Sequence, residues 1–107
     1  MQHIFAGVDG GGTKTEAVVY AVHHGADVSS GRVVGRGVAG PSNKNSVGDG
    51  AALAALRQAV SAALEEAVPG ETAAISCVVL SMAGVDTEAD AQFWRKVGLF
   101  SGTRAFL

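Results

Sequence analysis

Two short apolar runs open the chain: His3-Ile4-Phe5-Ala6, and then Ala17-Val18-Val19-Tyr20-Ala21-Val22. A glycine-rich stretch separates them. Runs of this length, apolar or β-branched and bounded by glycine, read as strands. Strands are therefore predicted over 3–8 and 14–22, joined by a tight turn. A segment rich in Gly, Ser and Asp, 23–31, leads to a third predicted strand over 32–38. Connections this short make the three strands an antiparallel meander.

After Gly40-Pro41-Ser42-Asn43-Lys44-Asn45 the period changes. Leu53, Leu56, Val60, Leu64 and Val68 recur at three- and four-residue steps and mark one face of a helix predicted over 46–68. Ser46 and Asp49 form an approximate capping box at its start, and Pro69-Gly70 stops it. Residues 74–81 read as a fourth strand, buried on both faces. Gly84 turns the chain. Thr87, with Asp90 three residues on, caps a second helix whose apolar stripe is Phe93, Val97 and Phe100, with Trp94 beside them in the core. Ser101-Gly102-Thr103 ends that helix, and 104–107 begins another strand. The order β-β-β-α-β-α, then β, implies an α/β fold with a mixed sheet.

Composition narrows the class. A length of 107 residues allows one domain at most, and 48% hydrophobic residues is too many for a disordered chain. Fifteen glycines against two prolines favour turns between packed elements. The net charge is −2 and the eight Lys and Arg are scattered, so no basic stripe offers itself to nucleic acid. Cys77 is the only cysteine, which leaves no internal disulfide and fits a reducing compartment; its apolar surroundings make it a core residue. Neither a secretory leader nor a run of ~20 apolar residues is present, so the expected setting is cytoplasmic, away from membranes. His23 and His24 lack the cysteines or carboxylates that would make a metal site.

The chemistry concentrates in Gly7-Val8-Asp9-Gly10-Gly11-Gly12-Thr13-Lys14-Thr15-Glu16. It is not a P-loop. Gly7 and Gly12 have the right spacing, but Thr13 intrudes before Lys14 and a strand follows where a helix is needed. Gly35-Arg36-Gly37-Val38-Ala39-Gly40 has the formal spacing of a dinucleotide fingerprint, but Pro41, Ser42 and Asn43 stand where a helix must open. The first stretch fits better as a hairpin phosphate site. Three glycines in a row exceed what a hairpin requires, and they let phosphate oxygens approach main-chain donors unobstructed. Asp9 could hold magnesium, and the Thr13 hydroxyl could donate to a phosphate.

Val8-Asp9-Gly10-Gly11-Gly12-Thr13-Lys14-Thr15 resembles the first phosphate motif of the sugar kinase, Hsp70 and actin superfamily, and more narrowly that of the N-acetylglucosamine kinase group, or BadF/BadG/BcrA/BcrD ATPase family. Gly37-Val38-Ala39-Gly40-Pro41-Ser42-Asn43 is similar to the sugar-binding loop of that group, and Val79-Leu80-Ser81-Met82-Ala83-Gly84-Val85-Asp86 to its strand-to-helix turn. The resemblance implies a partial actin-like ATPase (ribonuclease H-like) lobe that uses ATP and Mg and phosphorylates an amino sugar such as N-acetylglucosamine. It implies that Asp9 binds magnesium, through water, and that Gly10, Gly11, Gly12 and Thr13 meet the phosphates. Lys14 belongs to the same motif, though its place on a strand reads first as that of a solvent-facing side chain. Asn43 would hydrogen-bond sugar hydroxyls, although apart from the resemblance the position reads first as a turn residue stabilised by its own side chain. Ser81 and Gly84 would line the cleft floor, and Asp86 stands as a loop acid before the Thr87 cap.

In such kinases an Asp at the end of the fifth strand is the general base. No Asp follows Arg104, so the chain reads as a truncated N-terminal lobe over 1–107, with its second lobe absent and no catalytic base. It is expected to be inactive alone, weakly stable, and dependent on that lobe or on a homo-oligomer. Two other readings are a non-catalytic phosphate- or sugar-binding module and a BadF-type activator of a dehydratase. The activator would need more cysteines than Cys77.

Overall fold

Two nine-residue strands, β1 (Gln2–Gly10) and β2 (Thr15–His23), pair antiparallel from Gln2↔His23 to Gly10↔Thr15 without a slip. Side chains alternate across a strand, so this register gathers Ala6, Val8, Ala17 and Val19 on one face, where all four are buried. A one-residue shift would turn the whole set outward, which is why the pairing is specific. A short 3₁₀ turn, Val28–Ser30, leads to β3 (Arg32–Ala39), which adds antiparallel to β2 with a bulge between Val19 and Tyr20. The meander is as predicted.

On the other side of β1, β4 (Cys77–Met82) and then β5 (Arg104–Phe106) run parallel to it. The result is one mixed sheet in the order β3-β2-β1-β4-β5. This computed structural model describes residues 2–68, 75–96 and 104–106. The proposed stop at Pro69-Gly70, the strand start at residue 74, Val97, Phe100, residues 101–103 and Leu107 lie outside them.

The expected single helix over 46–68 is two helices. Asn43 caps α1 (Lys44–Val47), Gly48 follows at φ +88°, and α2 (Asp49–Ala67) begins directly after it. Glycine adopts that left-handed conformation without the penalty a Cβ brings, so it breaks the helical path. Ser46 therefore lies inside α1 and does not cap a longer helix; its N–H bonds the Asn43 carbonyl at 3.0 Å.

The buried face of α2 is also displaced from the predicted one. Ala52, Ala55, Leu56, Ala59, Val60 and Ala63 are buried, whereas Leu53 and Leu64 are half-buried. The cause is β3. A Cβ on Gly37 would fall on the Ala59 carbonyl oxygen, and one on Gly35 on that of Ala63. The two glycines let helix and sheet backbones approach closely, and only alanine-sized residues fit between them. The Gly-x-Gly at 35–37 is thus a packing device, consistent with its rejection as a nucleotide fingerprint.

Thr87 caps α3 (Glu88–Arg95) with both arms of the predicted box formed: Asp90 N–H donates to Thr87 Oγ1 at 3.2 Å and Thr87 N–H to Asp90 Oδ2 at 3.1 Å. Trp94 is fully buried, as predicted, and packs edge-on against Phe93, with ring centroids 4.9 Å apart. Its Nε1 has no hydrogen-bond partner among the described residues. Ala6, Val8, Val19, Leu56, Val60, Val78, Leu80 and Trp94 belong to one core cluster.

Burial of β4 on both faces does not hold. Val78 and Leu80 are buried, but Val79 is 53% exposed and Cys77 half-buried. Both sit on the sheet face opposite α2, which the described helices leave open, so Cys77 is not the core residue it was expected to be.

Candidate functional site

Three loops meet at the C-terminal end of β1. The Gly10 carbonyl accepts the Ala83 N–H at 2.7 Å, and the Gly11 carbonyl accepts the Ser42 N–H at 3.1 Å. Thr15 Oγ1 donates to the Gly40 carbonyl at 2.7 Å and lies 2.7 Å from Ser42 Oγ, with both side chains fully buried. The first glycine turn, the 40–45 loop and the turn after β4 are separate in sequence and joined here by backbone and hydroxyl bonds. Sequence reasoning missed Thr15 and Ser42 as joints. The available signal was a hydroxyl at the first position of a strand that is otherwise apolar on that face.

The three glycines of the turn do different work. None has a positive φ, so backbone freedom is not what they supply. A Cβ on Gly10 would strike Ser42 Oγ and the Met82 side chain; this residue is small because two loops press on it. The Gly11 N–H donates to the Lys14 carbonyl at 2.9 Å, closing the turn. That donor is therefore committed, which narrows the expected phosphate contact at Gly11. Gly12 is different: a Cβ there would meet nothing within 4 Å.

Beside this turn opens a cleft of about 230 Å³ lined by Asp9, Gly11, Thr13, Lys14 and Glu16. Ligand pockets for whole drug-sized molecules run roughly 300–1,000 Å³, so this one suits a phosphate or two with a cation. Asp9 is exposed, sits across from Glu16 on β2 and beside Ser81 on β4, and its carboxylate makes no hydrogen bond among the described residues. Like charges facing across a strand pair repel. Lys14 relieves this by reaching Glu16 at 2.6 Å. The hydrogen bond and charge of that pair raise the Lys14 pKa and lower that of Glu16. Both side chains are largely exposed, at 63% and 49%, so salt screens the pair. Lys14 thus both faces solvent and borders the cleft.

Magnesium accepts one or two carboxylates and completes its shell with water and phosphate oxygens. Asp9 fits that role. Among the described residues no group of three or more His, Cys, Asp or Glu could hold a metal alone. His24 stacks on His3, with ring centroids 4.5 Å apart.

A second group forms where the 40–45 loop meets the turn after β4. Asn43 Oδ1 accepts the Asn45 N–H at 3.0 Å as the cap of α1. Gly84 has φ +83°, and a Cβ on it would fall on that same oxygen. Asn45 Nδ2 donates to the Gly84 carbonyl at 2.9 Å and lies 3.4 Å from Asp86 Oδ2. Asn43 is therefore the self-stabilised turn residue of the plainer reading, and its amide nitrogen is uncommitted among the described residues. Asn45 was not anticipated. The turn after β4 is split, since Ser81 stands beside Asp9 while Gly84 meets Asn43.

Beneath this group, Lys44 Nζ lies 2.6 Å from Asp90 Oδ1, with each side chain only 12% exposed, and 5.5 Å from the Phe93 ring centroid. The Asp90 Oδ2 accepts the Asp86 and Thr87 N–H groups. The Lys44 ammonium, aided by those N–H groups, holds the Asp90 carboxyl at about 2, and Asp90 in turn raises Lys44. Among the described residues no helix is long and apolar enough to cross a membrane.

Comparison with known proteins agrees with the motifs. A family model described as the BadF/BadG/BcrA/BcrD ATPase family matches residues 6–97. A crystal structure from Chromobacterium violaceum, named as a candidate N-acetylglucosamine kinase, is similar with a TM-score of 0.69 and 26% identity. The similarity covers 97% of this chain and 34% of that one, so the chain spans about a third of the length of the solved structure it matches. No curated protein matches.

Proposed function

The chain belongs to the BadF/BadG/BcrA/BcrD ATPase family, and on that premise we propose that it forms the phosphate-binding side, and part of the sugar-binding side, of an ATP-dependent amino-sugar kinase in a cytoplasmic setting. One observation carries the reading. Gly12 lies between Gly11 and Thr13, which line a cleft of phosphate size, and it has no packing contact or positive φ to require glycine. A ligand approaching the main chain would explain it.

In this reading the Gly12 and Thr13 N–H groups and the Thr13 hydroxyl hold phosphate oxygens, and Lys14 moves from Glu16 toward them. Asp9 holds magnesium, which supplies positive charge against the phosphates and orients them. Asn43 and Asn45 orient the sugar against Gly84. In the kinase as a whole, a sugar hydroxyl oxygen would bond the γ-phosphorus of ATP as the bond to the β-phosphate oxygen breaks, releasing ADP and a proton. For this chain the proposal is binding. Turnover would need a proton acceptor in addition to these residues. The activator reading is less well supported, because an iron–sulfur cluster needs several thiolates and the chain has one cysteine.

Titration of the chain with ADP and ATP, with and without magnesium, tests the reading. Binding should strengthen with Mg²⁺, and Asp9→Asn should remove that magnesium-dependent part, roughly ten- to a hundredfold in affinity. Nucleotide affinity that ignores both magnesium and Asp9 would defeat the proposal.

A further inference from the structure

The loop carrying Asn43 and Asn45 is held in place by residues outside it. α1 has four residues, none of them buried, and a helix of one turn has no stability of its own. Lys44, its first residue, provides the anchor. The side chain runs past the Phe93 ring to the Asp90 carboxylate. Asp90 is already the capping acid of α3, so one carboxylate caps one helix and tethers the other. The position of α1 thereby follows the N-terminus of α3, and the Asn43 oxygen comes to rest over Gly84.

We propose that the Lys44–Asp90 ion pair positions Asn43 and Asn45 for the sugar, acting through α1 without touching the ligand. The identity of the ligand rests on the amino-sugar reading above; the anchoring of α1 does not. Sugar hydroxyls and acetamido groups are bound by hydrogen-bond donors and acceptors of fixed direction, and a loop free to wander would have to be ordered on binding. The ion pair orders it beforehand. Removing one partner leaves the other charge mostly shielded from water with weaker compensation, Lys44 keeping only Asp49 at 3.8 Å and Asp90 only its N–H donors. A single variant should therefore be about as disruptive as loss of both charges. The phosphate cleft is built from the ends of β1 and β2 and the turn between them and shares no side chain with this anchor, so the two sites should separate experimentally.

The experiment uses the chain with Asp90→Asn, Lys44→Met, and the double substitution Lys44→Met with Asp90→Asn, in which the Asn carbonyl can still accept the capping N–H groups. N-acetylglucosamine alone and Mg²⁺-ADP alone are titrated, and amide exchange is followed at Ser46, Val47 and Gly48, whose N–H groups close α1. Each single variant should speed exchange at these amides about tenfold and weaken N-acetylglucosamine about tenfold, with Mg²⁺-ADP changed less than about twofold; the double variant should lose no more than either single one, because both changes remove the same interaction. Unchanged α1 exchange in the single variants would overturn the inference. So would sugar and nucleotide affinities that fall together. If the unsubstituted chain binds Mg²⁺-ADP but no N-acetylglucosamine, the amino-sugar reading falls, and the α1 exchange rates alone then decide whether the anchor stands.

Discussion

The hydroxyls of Thr15 and Ser42, 27 positions apart, lie 2.7 Å from each other in a fully buried contact that ties the glycine turn before β2 to the 40–45 loop. Thr15→Val keeps the shape and deletes the hydroxyl, leaving the Gly40 carbonyl without its donor and Ser42 Oγ without its partner. Buried groups stranded in this way cost about 1–3 kcal/mol. Urea denaturation should show that loss. A variant as stable as the parent would mean that the two loops are held together by their backbones alone.

Gly12→Ala separates fold from site. Its Cβ enters open space and its backbone needs no special conformation, so stability should stay within about 0.5 kcal/mol. The same methyl group stands where phosphate would approach. Mg²⁺-nucleotide affinity should fall about tenfold or more, which is about 1.4 kcal/mol. Unaltered affinity, read by calorimetry, would move the phosphate away from this turn.

Gly37→Ala should behave in the opposite way. Its Cβ would land on the Ala59 carbonyl and within 2.7 Å of the Ala63 nitrogen, so α2 must lift from the sheet. Overpacking of this kind costs about 1–3 kcal/mol or more. The melting temperature should drop by several degrees or more, with nucleotide affinity per folded molecule retained. Normal melting would show that the helix and sheet are less closely fitted than the structure has them.

Acid should reveal the Asp90 tether. Its folded pKa of about 2 lies below the ordinary 3.8, so the folded chain binds this proton less readily than the unfolded one. The stabilisation is complete above about pH 4 and drains away as pH falls toward 2. Chemical denaturation across pH 2–5 should show a steeper loss for the parent than for Asp90→Asn, and equal slopes would mean that Lys44 and Asp90 do not pair in solution.

Local chemistry was readable from sequence wherever partners are close along the chain. The Thr87–Asp90 box, the glycine turn before β2 and the strand character of β1 all follow from neighbours a few residues away. The break at Gly48 was not readable, because the apolar helical pattern that follows it masks a residue whose only signal is its freedom at positive φ. The buried stripe of α2 followed the small residues that face Gly35 and Gly37 instead of the leucines, since the sheet decides which face of a helix it accepts. In the site, Asp9 and the run Gly10-Gly11-Gly12 could be picked out by what phosphate and magnesium would demand, but not that only Gly12 of the three is free of close contacts. The commitment of the Gly11 N–H to Lys14, the Thr15–Ser42 joint and the Lys44–Asp90 anchor depend on how strands and loops assemble, which no short window contains.

Trp94 is the only tryptophan in the chain, and its ring lies against Phe93, the same ring that Lys44 passes over. Its fluorescence therefore comes from one dry location next to the α1–α3 junction. A loosening of that junction should shift the emission toward longer wavelength before the sheet unfolds, so the protein carries its own optical reporter of whether the 40–45 loop is in place.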